Sequence, residues 1–412
     1  MNFAYILNAI RRFGIKGIVE YLLRKPSEYI FYRFLQSTLR PEAPERGVTL
    51  ITCFDFPGSL SKVMRDFAIM LKQANIPYQA LNIPCKTPIP NHETHFFLTP
   101  KEEFCANKFT HIITMRSPLQ SPDARCAVHS IEFWEFEDGF VESCPEALKA
   151  KNVLALSDFN FAVFKNLLPE TIGVKKILYP FQFRHKSLAQ REVTRQKYGI
   201  GIDDFVVFFN FDYASSYFRK NPEGILYAFS KALKDKPNTR IVFKTMRAKA
   251  CITMSARLHS LSAKMGLSSR LTTIDDFIPQ EDLVNLTNAC DVYMSLHRGE
   301  GFGLGIAEAM SLGKPVIVTD YSSTTEFCNK YNSIPIPYKL IPTRRDQLDV
   351  AEYHHVSKWA EPDIDSAAAA LTELYNDPSK RETLGRHAKD FIEQYFSPDN
   401  FKRSIDIFLT QT

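Results

Sequence analysis

The sequence predicts an α/β protein with two Rossmann-like, doubly wound domains that face a cleft, preceded by an N-terminal helical extension. Short buried-type strands alternate with helical segments from Gly47 onward, which is typical of mostly parallel sheets. The alternation runs through two consecutive units of similar size, separated by the charged stretch Arg184–Lys197. A chain of 412 residues has room for two or three domains.

Composition excludes several other classes of protein. A hydrophobic content of 45% and a charged content of 24% are those of an ordinary globular protein rather than a disordered chain. No stretch approaches the ~18–20 apolar residues of a membrane span. Arg11 and Arg12 follow an apolar stretch, whereas in a signal peptide the basic residues come before it. The eight cysteines lie far apart without a CxxC pair, so we expect free thiols, no zinc site and a cytoplasmic protein.

Residues 1–46 form the predicted extension, which is basic and amphipathic. The first 40 residues contain seven basic and two acidic side chains, and thus the whole net charge of +5. The electrically balanced remainder disfavours a general nucleic-acid binder. Phe3, Ile6, Leu7 and Ile10 recur at helical spacing. Such an extension suits an anionic membrane surface, at the inner face of the cytoplasmic membrane, or equally an arm packed on its own domain.

The first α/β unit is predicted at residues 47–182. A strand at Val48–Phe54 is followed by Pro57, Gly58 and Ser59, which open a helix through Leu71. Further strands are expected at Ile76–Leu81, His111–Met115, Ala127–Phe133 and Val153–Leu156. Ser157 is a good N-cap for the helix after the last of these.

The second unit is predicted at residues 183–390, and residues 391–412 as a helix that crosses back to the first. Strands are expected at Phe205–Asn210, Arg240–Lys244, Leu271–Ile274, Val292–Leu296 and Pro315–Val318, with a helix from Glu223 to Leu233. Asp363 and Asp365 follow Pro362 and precede an alanine-rich run, which predicts a helix start rather than a metal motif.

The most informative stretch is the glycine-rich loop after the predicted strand Val292–Leu296. Gly301, Gly303 and Gly305 allow close backbone approach to a ligand and leave N–H groups free at a helix N-terminus, which suits a phosphate or a sugar hydroxyl. Glu300 lies in the loop and Glu308 about one turn into the helix, as acceptors for ligand hydroxyls. The alternative is a glycine-rich turn with surface glutamates.

These residues carry a resemblance to a known family. Glu300 and Glu308, within GEGFGLGIAEAMSLGKPVIVTD, resemble the donor-site signature of retaining GT-B glycosyltransferases of the GT4 group. Residues 211–222 (FDYASSYFRKNP) resemble the family's lysine-bearing loop, and residues 275–281 (DDFIPQE) its GF-P-EEL turn. The resemblance is strong over about 205–395 and weaker over 47–179.

The resemblance implies roles for the donor-side residues. Basic residues rather than a metal would stabilise the leaving nucleoside diphosphate, and Lys220 matches the family's lysine. Many members have an arginine where this chain has Ser215, so Arg219 or Lys244 is the candidate for a second cation. Glu308 would bind the ribose hydroxyls and Glu300 the donor sugar. The other implied donor-side residues are Gly301, Phe302, Gly303, Leu304 and Ile278.

The resemblance also suggests acceptor-side residues in the first domain. Residues 131–137 (IEFWEFE) resemble an IGYWxWE loop, in which Trp134 would be a platform for a sugar ring and Glu137 a carboxylate for its hydroxyls. His129 lies near the place of a family histidine beside the reacting centre. A core aromatic, a surface acid and a buried core histidine are equal alternatives for these three. Gly58 and Ser59 would border the acceptor.

The expected function is therefore that of a retaining hexosyltransferase that needs no metal or cofactor. It would move a sugar from a UDP- or GDP-sugar to a saccharide or lipid-linked acceptor, in cell-surface polysaccharide or glycoconjugate biosynthesis. The alternatives are a sugar-nucleotide epimerase or a phosphorylase of the same fold, and a non-catalytic nucleotide-binding protein.

Overall fold

The computed structural model describes residues 31–55, 58–83, 98–116, 121–183, 188–275 and 277–410. Most of the predicted extension, residues 1–30, lies outside the described residues, as does the end of the chain at 411–412. The described part of helix α1 is residues 31–37. Leu35 of this helix is buried against Ile112 and Val128 of the first domain.

The first domain contains a six-stranded parallel sheet. Its strands are β1 (Glu45–Thr52), β2 (Tyr78–Asn82), β3 (Phe109–Met115), β4 (Ala127–Ile131), β5 (Asn152–Ala155) and β6 (Gly173–Lys176). They lie in the order β2-β1-β3-β4-β5-β6. The helices are α2 (Ser59–Gln73), α3 (Phe140–Ser143) and α4 (Asp158–Leu167). Ser157 caps α4 by accepting a hydrogen bond from Asn160 N, as expected.

The second domain contains a second six-stranded parallel sheet. Its strands are β7 (Phe205–Asp212), β8 (Thr239–Met246), β9 (Leu271–Ile274), β10 (Val292–Ser295), β11 (Val316–Thr319) and β12 (Ile334–Ile336). Their order is β12-β11-β10-β7-β8-β9, the doubly wound Rossmann pattern in which the first and fourth strands are neighbours. The two parallel sheets confirm the predicted fold class.

Helices cover the faces of the second sheet, and a hairpin extends from it. The helices are α5 (Arg191–Lys197), α6 (Tyr217–Lys220), α7 (Pro222–Leu233), α8 (Ile252–Lys264), α9 (Gln280–Asn288), α10 (Leu304–Ser311), α11 (Ile364–Asn376) and α12 (Pro378–Tyr395). Asp363 caps α11, so this aspartate acts in a helix start. Strands β13 (Tyr338–Pro342) and β14 (Lys358–Pro362) form an antiparallel hairpin that the sequence did not predict.

The last helix, α13 (Pro398–Thr410), packs on the first domain. The ring of Phe401 meets Phe67 of α2 edge-on, with centroids 5.4 Å apart. Ser404 Oγ accepts a hydrogen bond from Leu178 N at 2.8 Å. Among the described residues, no helix is long and apolar enough to cross a lipid bilayer.

The topology of the second sheet fixes where a ligand can bind. β7 and β10 are adjacent, yet their connections leave on opposite sides, which opens a crevice at their carboxyl ends. The loop after β7 leads to α6, and the loop after β10 leads to α10. The lysine-bearing loop and the glycine-rich loop are therefore brought side by side by strand order alone.

Candidate active site

The lysine-bearing loop is anchored to the neighbouring strand. Ser216 (φ 71°) and Asn221 (φ 53°) adopt left-handed backbone conformations on either side of the one-turn helix α6. Asn221 Nδ2 donates to Leu296 O at 2.8 Å, and Asn221 Oδ1 accepts from Gly224 N at 3.1 Å. One asparagine thus caps α7 and joins the end of α6 to the end of β10.

The glycine-rich loop passes very close to the first domain. A Cβ atom on Gly299 would lie 2.7 Å from Glu135 O, and one on Gly301 would lie 3.1 Å from Phe133 Cβ, whereas one on Gly303 would lie 2.6 Å from Thr324 Cγ2 of the second domain itself. Gly303 also has φ +93°, which a side chain rarely adopts. These glycines allow the loop to lie in the cleft between the two sheets.

Lys220 and Glu300 form the centre of the site. Lys220 Nζ donates to Glu300 Oε2 at 2.5 Å, and Arg219 Nη1 lies 3.6 Å from the same oxygen. Burial alone would raise the pKa of Glu300, but Lys220 and then Arg219 lower it to about 2. The carboxylate is therefore ionised at physiological pH and held by two cations.

Arg219 connects the two loops through its guanidinium group. Its Nη1 donates to Gly299 O at 2.8 Å, and its Nη2 donates to Ser215 O at 2.8 Å and to Ser215 Oγ at 2.9 Å. The side chain is only 3% exposed. Ser215 stands where an arginine was expected from the family resemblance, and the guanidinium of Arg219 lies against it.

Glu308 of α10 receives contacts from both domains. Gln280 Nε2 donates to its Oε1 at 3.5 Å. Lys62 of α2, in the first domain, places Nζ 3.6 Å from the same oxygen while also binding Asp66 at 2.6 Å. Lys62 is 6% exposed, so the glutamate lies where the two domains meet.

The loop after β4 brings a further carboxylate to the site. Glu135 Oε1 lies 3.9 Å from Arg219 Nη1 and would lie 3.4 Å from a Cβ atom on Gly301. Burial raises the pKa of Glu135. Near it, Arg116 at the end of β3 has a left-handed backbone (φ 49°). Arg116 Nη2 lies 3.2 Å from Glu352 of the second domain.

Three acceptor-side predictions are not brought to this cluster. The ring of Trp134 is fully buried against Phe136 and Phe140, with its Nε1 donating to Asp138 O at 2.7 Å. A ring without exposed face cannot be a sugar platform, so the structure favours a core aromatic here. Glu137 is exposed and lies near Tyr321, whose pKa is raised by burial and then by this carboxylate.

His129 is also placed in the core. Its Nε2 is 3.1 Å from Nδ1 of His111, and its Nδ1 is 3.1 Å from Nδ2 of Asn152. The ring packs on Phe408 of α13. Burial and the positive charges nearby lower its pKa to about 3, so the ring is neutral. These contacts favour a buried core histidine.

The remaining predicted residues frame the site or pack beneath it. Leu304 is the first residue of α10, Gly58 precedes α2 and Ser59 begins it. Phe302 is buried and stacks on Tyr179 with centroids 3.6 Å apart, Ile278 packs against the core, and Lys244 Nζ donates to Thr245 O at 2.7 Å. Of the two candidates for a second cation, Arg219 is seen beside Glu300, with Nη1 3.6 Å from Oε2.

Sequence reasoning missed Glu135, Lys62 and Arg116. Glu135 lies in the loop that the resemblance singled out, two residues before the glutamate that was chosen. Nothing in the sequence near Lys62 or Arg116 marks them, because the residues that they contact in the second domain, Glu308 and Glu352, are more than 200 residues away along the chain.

Comparison with known proteins agrees with this arrangement. Residues 190–334 match the family model described as "Glycosyl transferases group 1". This range contains Lys220, Arg219, Glu300 and Glu308. A protein of Sulfolobus islandicus filamentous virus (isolate Iceland/Hveragerdi), named "Putative glycosyltransferase 45", is 25% identical over 128 residues, 30% of this chain. The chain matches only 36% of that relative's length.

Solved structures share the fold over most of the chain. Anabaena HepE in complex with UDP and glucose is 16% identical, with 89% of this chain and 100% of that one covered and a TM-score of 0.59. Sucrose-phosphate synthase from Thermosynechococcus elongatus is 15% identical, with 89% of this chain and 99% of that one covered and a TM-score of 0.62. WaaG, a glycosyltransferase involved in lipopolysaccharide biosynthesis, is 14% identical, with 88% of this chain and 99% of that one covered and a TM-score of 0.53. The chain therefore has the GT-B fold of these glycosyltransferases.

Proposed function

We propose that this protein is a retaining glycosyltransferase of the GT4 group. It would transfer a hexose from a UDP- or GDP-sugar to a saccharide or lipid-linked acceptor. The observation that carries the proposal is the largely buried cluster of Lys220, Arg219 and Glu300 at the crevice between β7 and β10, with Glu308 about one turn into the adjoining helix. The family match over residues 190–334 supports the same assignment.

The two cations suit the chemistry of a leaving nucleoside diphosphate. When the glycosidic bond breaks, negative charge grows on the phosphate oxygen, and preorganised cations in a water-poor site stabilise it. The side chains of Arg219 and Lys220 are only 3% and 16% exposed and are fixed by hydrogen bonds, so little reorganisation is needed. Because they supply fixed positive charge, we propose that donor binding needs no divalent cation.

The carboxylates suit the sugar hydroxyls of the donor. Glu308 lies about one turn into α10, and in the proposal it accepts hydrogen bonds from the ribose of a donor held at the helix start. Glu300, with the backbone N–H groups of Gly301 and Gly303, holds the transferred sugar. Glu300 is not proposed as a covalent nucleophile, because the leaving diphosphate itself assists attack from the same face.

The solved complexes support the donor class and suggest a pathway. HepE has been crystallised with UDP and glucose and with UDP-glucose, and WaaG acts in lipopolysaccharide biosynthesis. We therefore propose a nucleotide-sugar donor, with UDP-sugars tested first, and a role in cell-surface polysaccharide or glycoconjugate synthesis.

A donor panel tests the proposal directly. The protein is incubated with UDP- and GDP-sugars, with and without saccharide or glycolipid acceptors and with EDTA, and release of nucleoside diphosphate is followed. Acceptor-dependent release that survives EDTA is expected, and proton NMR of the product should show retained anomeric configuration. Sugar conversion without diphosphate release would indicate an epimerase instead. No release and no nucleotide binding would refute the proposal.

Variants at the centre of the site test the residue assignment. Lys220→Ala and Glu308→Ala should each lower kcat/KM for the donor by at least a hundredfold, about 2.7 kcal/mol of transition-state stabilisation. Lys389→Ala and Glu382→Ala, at exposed positions on α12, are the matched controls and should keep full activity. Unchanged turnover in the first pair would contradict the assignment.

A further inference from the structure

The loop between β13 and β14, residues 343–357, contacts both domains at the candidate active site. We call it the strap. Its two ends are joined where Thr343 N donates to Ser357 O at 2.9 Å. The strap belongs to no motif of the sequence, and the hairpin that carries it was not predicted.

The strap holds the beginning of the helix that carries the two cations. Asp349 Oδ1 accepts a hydrogen bond from Ser216 Oγ at 2.5 Å, and its Oδ2 accepts from Tyr217 N at 2.8 Å. Tyr217 is the first residue of α6, so the carboxylate acts at the helix N-terminus, where negative charge is favourable. Arg219 N also donates to Ser216 Oγ, at 3.3 Å.

The same strap reaches into the first domain. The ring of Tyr353 lies 5.1 Å from that of Phe136 and 5.7 Å from that of Trp134, on the loop that also carries Glu135. The guanidinium carbon of Arg219 lies 5.6 Å from the centre of the same Tyr353 ring. Ser357 N donates to Asp138 Oδ2 at 3.0 Å. The strap therefore links the first domain to the lysine-bearing loop.

Helix α6 needs such an external support. It is a single turn of four residues, Tyr217–Lys220, and one turn of helix is not stable by itself in water. Its preceding residue, Ser216, has a left-handed backbone (φ 71°), a strained conformation for a serine that its surroundings must maintain. Lys220 N donates to Ser216 O at 3.0 Å, so the direction of the lysine follows from the orientation of this turn.

We propose that Asp349 is a positioning residue for the diphosphate-binding cations. By fixing Ser216 and Tyr217, it orients α6 so that Lys220 and Arg219 converge on the place of the leaving group. This inference rests on the proposed function and assigns to the strap a part in donor binding. Asp349 itself is exposed and touches no reacting atom.

The exposure of Asp349 makes the test selective. Replacing an exposed carboxylate leaves no cavity in the core, so the folded state should lose little stability. The loss of its two charge-assisted hydrogen bonds should nevertheless allow the single turn of α6 to change its orientation. Asp349→Ala should weaken binding of UDP or GDP, whichever the wild type binds, about tenfold by calorimetry. It should also raise the donor KM, leave the acceptor KM unchanged and keep Tm within about 3 °C.

Matched variants complete the experiment. Asp346→Ala removes another exposed carboxylate of the strap, which pairs only with Arg344 at 3.0 Å among the described residues, and it should bind nucleotide like the wild type. Asp349→Asn, which keeps one acceptor oxygen, should fall between the wild type and the alanine variant. In the double variant of Ser216→Ala and Asp349→Ala, the loss of nucleotide binding energy should be smaller than the sum of the losses in the two single variants, because both substitutions break the same contact.

The outcomes separate this inference from the proposed function. A wild type that binds and turns over the donor while Asp349→Ala binds nucleotide unchanged would overturn the positioning role alone. Equal losses in Asp346→Ala and Asp349→Ala, or equal rises in donor and acceptor KM, would also overturn it, because they indicate a general effect of the strap. A wild type that neither binds nucleotide nor releases diphosphate would refute the proposed function.

Discussion

At the scale of single residues, two glutamates on one loop have different surroundings. Glu135 faces the glycine-rich loop, with its side chain 14% exposed and its Oε1 3.9 Å from Arg219. Glu137 is exposed and lies outside the cluster. The two carboxylates lie on the same segment and carry the same charge. A difference between variants at the two positions would therefore reflect where each side chain lies relative to the site.

We predict that Glu135→Gln lowers sugar transfer while Glu137→Gln does not. The glutamine keeps the size of the side chain but removes the negative charge that would strengthen a hydrogen bond from an acceptor hydroxyl beside the donor sugar. The expected loss in transfer is about ten- to hundredfold, with nucleotide affinity within about threefold of the wild type. Transfer to acceptor and hydrolysis of donor are measured separately.

Equal activity of both variants would contradict a role for Glu135 at the reacting centre. A selective loss in Glu137→Gln would instead restore the acceptor-side assignment drawn from the sequence. Nucleotide binding provides the control for folding of the donor site in either case.

Glu132 predicts a pH dependence of stability. Its side chain is 2% exposed, and burial raises its pKa to about 7, although Ser130 and Arg116 act in the opposite direction. A carboxyl group whose folded pKa lies above its unfolded value of 4.5 stabilises the folded state fully below that value. This contribution is lost as the pH rises through about 7. Roughly 3 kcal/mol at most is involved.

Glu132→Gln should therefore become more stable relative to the wild type as the pH rises from 5 to 8. The neutral glutamine never has to lose a proton inside the fold and can still accept a hydrogen bond from Ser130 Oγ. Thermal midpoints of both proteins at the two pH values measure the effect. Glu146→Gln, at a 61% exposed position, is the control, and a pH-independent difference for Glu132→Gln would contradict the prediction.

Individual site residues could be predicted from the sequence where they belong to a recognisable local motif. Lys220, Glu300 and Glu308 lie in the loops and helices that follow β7 and β10, which strand order makes neighbours, so local motifs were enough to single them out as candidates. Asp349 and Lys62 reach the site from 132 or more residues away along the chain. No local pattern marks an exposed aspartate in an irregular loop, and only the folded chain shows what it holds.

At the scale of elements, buried strands were predicted well and exposed ones were not. The predictions at Phe205–Asn210 and Val292–Leu296 agree with β7 and β10, because runs of apolar and β-branched residues identify central strands. The strand Tyr338–Pro342 is mostly exposed on both faces and contains proline, so neither periodicity nor propensity indicates it. The hairpin carries the strap, whose contacts with both domains stabilise it where its own sequence does not.

Short elements near the site also depend on contacts with distant residues rather than on their own sequence. Helix α6 has four residues and no hydrophobic period of its own, and it forms because Asp349 and Asn221 bind its two ends. Gly303 could be expected in a left-handed conformation, since glycine is the usual residue there. Ser216 and Arg116 could not, because non-glycine residues adopt it only when their surroundings impose it.

At the scale of the whole molecule, the chain links its two domains at several separate places. Helix α13 returns to the first domain, the strap crosses the cleft, and Lys62 reaches Glu308. Glu326 of the second domain accepts a hydrogen bond from Asp158 N at 2.8 Å at the start of α4. Relative movement of the domains would change these contacts and also the 3.9 Å distance between Glu135 and Arg219.

The charge of the molecule remains concentrated in the extension. Residues 1–30 contain five basic and two acidic side chains, while Leu35 is 1% exposed and Gln36 Nε2 donates to Pro122 O at 2.9 Å. Residues 31–40 thus belong to the first domain, and a deletion meant to remove only the basic segment should end at residue 30. A deletion through residue 40 would also remove Leu35 from the core.

We predict that deletion of residues 1–30 abolishes binding to anionic vesicles and leaves donor turnover intact. Basic residues near a lipid surface contribute about 1 kcal/mol each when the lipid is anionic, and the donor site consists wholly of residues beyond this segment. Sedimentation with phosphatidylglycerol vesicles should recover the full chain but not the deletion variant. Phosphatidylcholine vesicles should recover neither, and replacing the five basic residues with glutamine should reproduce the deletion. Vesicle binding that survives both changes would assign residues 1–30 to packing against the protein, the alternative that the sequence left open.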